Sequence, residues 1–147
     1  METLEHFGVY GVCFSDDRLL CVKKHGGPYN GRYDLPGGSR KNGESLLDTL
    51  NREISEETSY KIIEIYDNSL FDTFVKINER QTVHHIFGIY DVKLEKINNS
   101  GEINDSLGEE WVAIKDLTEQ NSSPLILKVL EMQREFQAKR YDEWKIL

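Results

Sequence analysis

One stretch of 24 residues constrains this chain more than any other part of the sequence. The segment from Gly37 to Tyr60 begins with a glycine pair and a basic turn and continues into a helical pattern. The second half of that pattern carries one arginine and three glutamates, Arg52, Glu53, Glu56 and Glu57. Two like charges about 4 Å apart repel by roughly 4 kcal/mol at an effective dielectric of about 20. So many carboxylates in so short a helix therefore need a compensating partner.

A helical wheel places these carboxylates beside the apolar face of the helix. The apolar stripe is formed by Leu46, Leu50 and Ile54, with Leu47 at its rim. Relative to Leu46, Glu53 falls at about −20°, Glu57 at about 20° and Glu56 at about −80°. An ordinary solvated helix would carry its acids on the opposite face, where Glu44 and Asp48 fall if the helix extends that far. Carboxylates that border a buried face favour a shared divalent cation.

Two interpretations of this helix follow from the residues alone. Mg²⁺ and Mn²⁺ take hard oxygen ligands, and one or two carboxylates with substrate phosphates often complete their coordination. In the alternative, the glutamates are ordinary surface acids and Arg52 pairs with Glu56 four residues on. The spacing by itself does not separate the two.

The same segment resembles the Nudix box, a motif with a glycine, a glutamate and an Arg-Glu-aliphatic-x-Glu-Glu run at fixed intervals. These positions are matched here by Gly38, Glu44 and residues 52–57, so that the box spans Gly38–Tyr60. Two positions depart, because Ser59 stands where the box closes with glycine and Tyr60 where an aliphatic residue follows. That glycine is expected to end the helix with positive φ, where serine costs on the order of 1 kcal/mol.

The resemblance implies a fold, a reaction and a set of site residues. The fold is the α/β/α Nudix sandwich of the α+β class, a mixed β-sheet between helices, as a single domain over residues 1–147. The reaction is metal-dependent hydrolysis of a diphosphate linkage in a nucleoside diphosphate linked to another group. By carry-over from the motif, Glu53, Glu56 and Glu57 hold Mg²⁺ or Mn²⁺ together with the carbonyl of Gly37. Glu53 is also a candidate base, and Arg52 orients the glutamates.

The resemblance leaves the last acid and the substrate open. An acidic residue from the region before the last strand commonly joins a Nudix site, and the candidates here are Glu102, Asp105, Glu109 and Glu110. Nucleoside triphosphates, sugar nucleotides and related compounds all remain possible substrates. The marks of two subfamilies are missing. There is no proline near Val75, as expected for ADP-ribose enzymes, and no tyrosine at residues 76–78, as expected for dinucleoside polyphosphate enzymes.

Charge distribution narrows the partners. The net charge of −8 argues against duplex nucleic acid, whose phosphate backbone is bound by basic faces. Residues 22–41, however, carry a net +4, beside a net −4 in residues 42–60. A basic rim beside an acidic cluster suits a small nucleotide bridged by metal, and we expect Arg32, Lys23 and Arg40 to contact the substrate.

Two further function classes compete with hydrolysis. A Nudix-fold module that binds a nucleotide or a partner without turnover is suggested by Ser59 and Tyr60, although every carboxylate of the box is present. A metal-buffering protein fits poorly, because calcium loops have a different ligand spacing.

Patterning along the rest of the chain predicts the other elements. We expect a hairpin of strands 7–14 and 18–24, a loop at 25–31, and a helix capped by Ser45 with Asp48. A long hairpin over 61–77 and 82–96 with a bend near Asp67-Asn68, a strand at 109–114 and a helix capped by Ser123 follow. The last helix should bury the stripe Leu125, Val129, Met132 and Phe136.

The histidines, the cysteines and the apolar segments of the chain give further expectations. His84 and His85 should point to opposite faces of their strand, so at most one faces the site. Cys13 and Cys21, expected on adjacent strands, should be reduced thiols. We expect a cytoplasmic protein, because no apolar run reaches the roughly 20 residues of a membrane span and the start lacks signal-peptide features. The apolar residues of the tail at 141–147 either pack back on the domain or contact a second subunit, so we expect a monomer or a homodimer.

Overall fold

The computed structural model of the protein describes residues 2–97 and 108–133. The strands are β1 (Glu2–Val12), β2 (Phe14–Ser15), β3 (Arg18–Lys23), β4 (Tyr33–Asp34), β5 (Gly37–Ser39), β6 (Tyr60–Asn78), β7 (Gln81–Lys96) and β8 (Glu109–Ala113). Helix α1 spans Leu46–Glu57, a 3-10 turn spans Ile114–Asp116, and helix α2 covers residues 124–133 of the described part.

The strands form two sheets. The first has the order β5-β1-β7-β6 and is mixed, because β1 runs parallel to β7 while the other pairs are antiparallel. In the second, β3 pairs antiparallel with β2, β4 and β8. The predicted mixed sheet with helices is confirmed, but the strands divide between two sheets.

The first predicted hairpin is wrong in its pairing. Strand β1 lies between β5 and β7, and only the two residues of β2 pair with β3. The chain changes sheet at Cys13, whose carbonyl accepts a hydrogen bond from the backbone N–H of Leu20 (3.0 Å). Strand β1 buries consecutive residues on both faces, which suits a central strand beside the long β7. Cys13 and Cys21 consequently lie in different surroundings, and both thiols are free.

Helix α1 begins as predicted, but fewer of its apolar residues are buried than predicted. The Ser45 hydroxyl accepts from the Asp48 N–H, and the Asp48 carboxylate accepts from the Ser45 N–H (both 3.1 Å), which completes a capping box. Leu50 and Ile54 are fully buried, whereas the predicted stripe members Leu46 and Leu47 are 39% and 45% exposed. The first turn of α1 thus does not bury its leucines.

The helix exit also differs from the expectation. Thr58 caps α1 in an extended conformation with φ −133°. Within residues 2–97 and 108–133, Asp16 is the only residue other than glycine with a positive φ. Ser59 therefore does not carry the strain expected of a serine in place of the closing glycine.

The remaining elements follow the predicted pattern with small shifts. Strands β6 and β7 form the long hairpin, with register shifts that include one between Ile65 and Asp67, next to the predicted bend. Strand β8 ends at Ala113, one residue early. In α2 the Ser123 hydroxyl accepts from the Ile126 N–H (3.4 Å). Of the predicted stripe, Leu125 and Val129 are buried, Met132 is half-buried, and Phe136 lies outside the described residues.

Two hydrophobic clusters position the site. The larger joins β1, β3 and β7 to α2, and it includes Tyr10, Leu19 and Phe87. The smaller lies under α1, where Leu50 and Ile54 pack with Val9 and Val92. Helix α1 therefore covers one face of the first sheet while the larger cluster fills the other. In the described part of the chain, no helix is long and apolar enough to cross a membrane.

Substitution of Leu50 by alanine should lower the free energy of unfolding by about 2–5 kcal/mol, because it opens a cavity between α1 and the first sheet. Leu46→Ala, on the exposed first turn of the same helix, is the matched control and should change stability by less than about 0.5 kcal/mol. Urea unfolding followed by circular dichroism measures both. Equal losses for the two variants would contradict the packing described for α1.

Candidate active site

A pocket of about 490 Å³ lies where β1, β5 and α1 meet the loop that follows β3. Its walls include Gly37 and Gly38 of β5, Glu53 and Glu57 of α1, Tyr29 of the loop and His85 of β7. The Nudix-like segment thus contributes both a backbone strand and a pair of carboxylates to one cavity.

The two glycines allow the strand β5 to approach its neighbours closely. Gly37 has φ +148°, and a Cβ on it would lie 2.2 Å from the carbonyl oxygen of Val9. A Cβ on Gly38 would lie 2.8 Å from the Glu53 carboxyl carbon. Larger residues at either position would displace β1 or the Glu53 side chain.

The Arg52 guanidinium connects the parts of the segment. Its Nε and Nη2 donate to the two carboxylate oxygens of Glu44 (2.7 and 3.0 Å), and Nη1 donates to Glu53 (3.0 Å) and Glu56 (3.2 Å). Nη2 also donates to the carbonyl of Ser39 (3.1 Å) at the end of β5. The predicted pairing of Arg52 with Glu56 exists, but it is one of several contacts.

Glu44 has a different place from the one the helical wheel gave it. It precedes the cap residue Ser45, so it is not on the far face of α1. Hydrogen bonds from Arg52 lower the pKa of the Glu44 carboxyl to about 2. Glu44 is therefore part of the Arg52 cluster and cannot serve as an inert control residue in tests of that site.

Glu53 and Glu57 lie one helical turn apart and both face the pocket. Their side chains are 15% and 24% exposed. Burial raises the pKa of Glu57 to about 8; the ammonium of Lys24 opposes the rise, and the neighbouring Glu53 carboxyl adds to it. Glu56 differs, because its side chain is 53% exposed and turned to Arg52. The structure thus brings together two of the three glutamates predicted to bind metal.

Asp34 is a pocket residue that the sequence analysis did not single out. It is 1% exposed, and its Oδ1 accepts from the Leu35 N–H (2.8 Å) and the Ser123 hydroxyl (2.6 Å). Its Oδ2 accepts no hydrogen bond from any described residue. Burial raises the pKa of the Asp34 carboxyl. No local pattern marked this residue, since its burial depends on α2, which is distant in sequence.

His85 is held between two tyrosines at the pocket wall. The Tyr29 hydroxyl lies 2.7 Å from Nδ1 and the Tyr10 hydroxyl 3.1 Å from Nε2, so that both ring nitrogens are occupied. Burial lowers the pKa of His85 to about 4. His84 lies on the opposite face, where its Nε2 is 2.8 Å from Asp72. The expectation that at most one of the two histidines faces the site is confirmed.

The three cations predicted to contact substrate are not among the described residues that line the pocket. Arg32 donates to the carbonyls of Glu119 and Ser122 in the segment before α2. Lys23 lies over the ring of Tyr33 (5.1 Å), and Arg40 donates to main-chain carbonyls of its own turn. Their role in substrate binding stays a prediction. Lys24, the neighbour of Lys23, does line the pocket.

Two of the four candidates for an additional acid fall within the described residues. Glu102 and Asp105 lie outside the described residues. Glu109 accepts from the Ser59 N–H (3.1 Å), and Glu110 makes a hydrogen bond with Tyr33 that raises the pKa of the tyrosine. Neither is found among the described residues of the pocket wall.

His85 should make the stability of the metal-free protein depend on pH. Its folded-state pKa of about 4 lies below the unfolded value near 6.5, so its contribution is present above pH 6.5 and is lost as the pH falls toward 4. His85→Gln should remove a slope of at most about 1.4 kcal/mol per pH unit in that window. Because the pKa of Glu57 is raised, its contribution to stability grows as the pH falls, opposite to that of His85. The contribution of His85 is therefore obtained from the difference between the profiles of variant and wild type. Urea unfolding at several pH values measures it, and parallel profiles would refute the prediction.

A family model described as a NUDIX domain matches residues 4–133. The MutT NUDIX hydrolase from Burkholderia pseudomallei superposes with a TM-score of 0.67 at 21% identity, covering 86% of this chain and 96% of that one. A NUDIX hydrolase from Nitrosomonas europaea gives a TM-score of 0.66 at 17% identity over 89% of each chain. At these identities the structures show the fold alone.

A sequence relative matches a shorter region. The ADP-ribose pyrophosphatase of Methanocaldococcus jannaschii is 38% identical over 50 residues, which cover 34% of this chain. The match spans only 30% of that relative's length. The family model, by contrast, covers most of the chain and has the described site within its bounds. The chain belongs to the Nudix hydrolase family.

Proposed function

We propose that the protein is a pyrophosphohydrolase that uses Mg²⁺ or Mn²⁺ to cleave the diphosphate linkage of a nucleoside diphosphate linked to another group. The observation that carries the proposal is the pair of carboxylates, Glu53 and Glu57, side by side on the wall of a 490 Å³ pocket. Membership of the Nudix hydrolase family supports the reaction class.

The residues at the pocket fit a divalent cation that is completed by substrate. Within residues 2–97 and 108–133, no three His, Cys, Asp or Glu side chains form a ready-made metal cluster. Mg²⁺ usually binds through one or two carboxylates together with substrate phosphates, so a pair suffices. The mutual repulsion of Glu53 and Glu57, which helps to raise the pKa of Glu57, is what a cation would relieve. We assign Glu53, Glu57 and the Gly37 carbonyl as ligands, and Glu56 as an outer carboxylate held by Arg52.

The chain's own groups have separate tasks in this proposal. Arg52 fixes the Glu53 carboxylate through a 3.0 Å hydrogen bond, and Gly38 leaves the space into which that carboxylate fits. Glu53 is the candidate base that accepts a proton from the attacking water. A bound cation supplies electrostatic stabilisation of the negative charge that develops on the diphosphate.

A panel of nucleotides tests the substrate class. The partial similarity to an ADP-ribose pyrophosphatase makes ADP-ribose one compound to test. The missing proline near Val75 speaks against that subfamily, so nucleoside triphosphates and sugar nucleotides belong in the same panel. Mass spectrometry of the products, with Mg²⁺ and with Mn²⁺, identifies both the substrate and the bond that is cleaved.

The two residues that suggested a non-catalytic module do not disturb the described site. It was suggested by Ser59 and Tyr60, yet the first adopts no strained backbone and the second accepts a hydrogen bond from the Trp111 indole (2.9 Å). Neither lines the described pocket. We further propose a cytoplasmic location, with which the free thiols of Cys13 and Cys21 are consistent.

Millimolar Mg²⁺ or Mn²⁺ should raise the stability of the folded protein, because the cation relieves repulsion that exists only when Glu53 and Glu57 are brought together. At 100 times the dissociation constant the gain should be about 2.7 kcal/mol. Thermal unfolding with and without metal measures it, and Ca²⁺ serves as a comparison of ion size. A melting temperature that no metal moves, alone or with nucleotide, would argue against the site.

Glu53→Gln and Glu57→Gln should each abolish most turnover without loss of the fold. Glutamine keeps the size of the side chain and cannot form the second of two adjacent carboxylate charges, so stability should hold or rise. Loss of one electrostatic stabiliser typically costs two to three orders of magnitude in rate, or about 3–4 kcal/mol. Glu95→Gln, a change of an exposed glutamate on β7, is the control with wild-type rates. Wild-type rates for both pocket variants would show that the metal assignment is wrong.

A further inference from the structure

Lys24 is built into the base of the loop that borders the pocket. Its N–H donates to the carbonyl of Arg32 (3.0 Å), and its carbonyl accepts from the Gly31 N–H (2.8 Å). These two bonds close the loop of residues 25–30 and fix the backbone of Lys24. Its side chain, 28% exposed, lines the pocket.

The ammonium group of Lys24 lies between two carboxylates, of which one is buried and held by hydrogen bonds and the other is a proposed metal ligand. Its Nζ is 3.9 Å from Oδ2 of Asp34 and 3.8 Å from Oε1 of Glu57. Both distances exceed those of a hydrogen bond, so neither carboxylate takes up a donor of the ammonium group. Asp34 is buried and held by Leu35 and Ser123, whereas Glu57 is a proposed metal ligand.

We propose that Lys24 is a substrate-binding residue that pairs with Glu57 until a divalent cation takes that carboxylate, and then binds a phosphate of the substrate. The inference rests on the proposed function, because it assumes the cation at Glu57. Asp34 is the positioning residue, since its buried Oδ2, 3.9 Å from the Lys24 Nζ, keeps the ammonium group at the pocket wall after Glu57 is engaged. A lysine ammonium is a point charge on a flexible stem, which suits such an exchange of partners.

Competition for Glu57 gives the proposal a readout that does not depend on activity. Lys24→Gln removes a cation that competes with the metal, so Mn²⁺ alone should bind about 2- to 5-fold more tightly, as expected for a partly exposed ion pair. Lys61→Gln is the control, because it removes an exposed charge on β6 that pairs with Glu95 and does not line the pocket. Isothermal titration of the full chain with Mn²⁺ measures both.

Phosphate binding should change in the opposite direction. With Mn²⁺ saturating, the affinity for ADP should fall about 10- to 100-fold in Lys24→Gln, the loss typical of a charged hydrogen bond, and should stay near wild type in Lys61→Gln. Lys24→Arg, which keeps the positive charge, should retain most of the affinity for ADP. Thermal unfolding of each variant establishes that it is folded.

The outcomes separate this inference from the function on which it rests. The inference is supported if Lys24→Gln binds Mn²⁺ more tightly and ADP more weakly than the wild type does, and the control variant shows neither change. If the wild type binds Mn²⁺ and ADP but Lys24→Gln behaves like Lys61→Gln, Lys24 has only a structural role beside Asp34 and the inference is wrong. A wild-type chain that binds no Mn²⁺, or that binds Mn²⁺ but not ADP, overturns the proposed function and this inference with it. If Lys24→Gln is unfolded, Lys24→Met, a neutral side chain of similar length, takes its place, and wild-type ADP affinity in that variant overturns the inference.

Discussion

The site depends on one guanidinium group. Arg52 holds both oxygens of Glu44, one oxygen each of Glu53 and Glu56, and the carbonyl of Ser39. Without this cation the three carboxylates would repel one another at close range. The low pKa of Glu44 keeps that residue ionised at neutral pH, so Glu44 remains a counter-ion for Arg52. The arginine thereby ties the end of β5, the turn before α1 and the pocket-facing Glu53 into one rigid unit.

Local parts of this unit could be predicted from sequence because their interactions span few residues. The capping box joins Ser45 to Asp48, and the carboxylates Glu53 and Glu57 are one turn apart on the same helix. Helical periodicity fixes such neighbours whatever the rest of the chain does. It does not fix how much of the helix the sheet covers, and for that reason Leu46 and Leu47 were placed in the stripe although they are exposed.

Contacts between distant segments could not be predicted in this way. Strand β1 pairs in parallel with β7, joining Val9 to Gly88 across most of the chain, while local patterning favoured a hairpin with β3. The prediction of a basic rim did not identify the lysine that lines the pocket, for a related reason. Successive side chains of a strand point to opposite faces, and the pairing of Lys23 with Tyr33 sends Lys23 to one face and leaves Lys24 for the pocket. The positive charge of this region was predictable from composition. Which lysine faces the pocket could not be predicted, because that depends on the strand that pairs with β3.

The departure of the motif at its closing glycine is explained by the residue before it. Thr58 leaves the helix in an extended conformation, its N–H and hydroxyl both donate to the carbonyl of Ile54 (2.9 and 2.7 Å), and its hydroxyl accepts from the Tyr60 N–H (3.1 Å). These bonds satisfy the helix end without a left-handed residue. The free N–H of Ser59 then donates to Glu109 at the start of β8, which links α1 to the second sheet. Because this exit lies away from the described pocket, the change from glycine to serine alters how the helix is joined to the fold and leaves the arrangement of Glu53 and Glu57 intact.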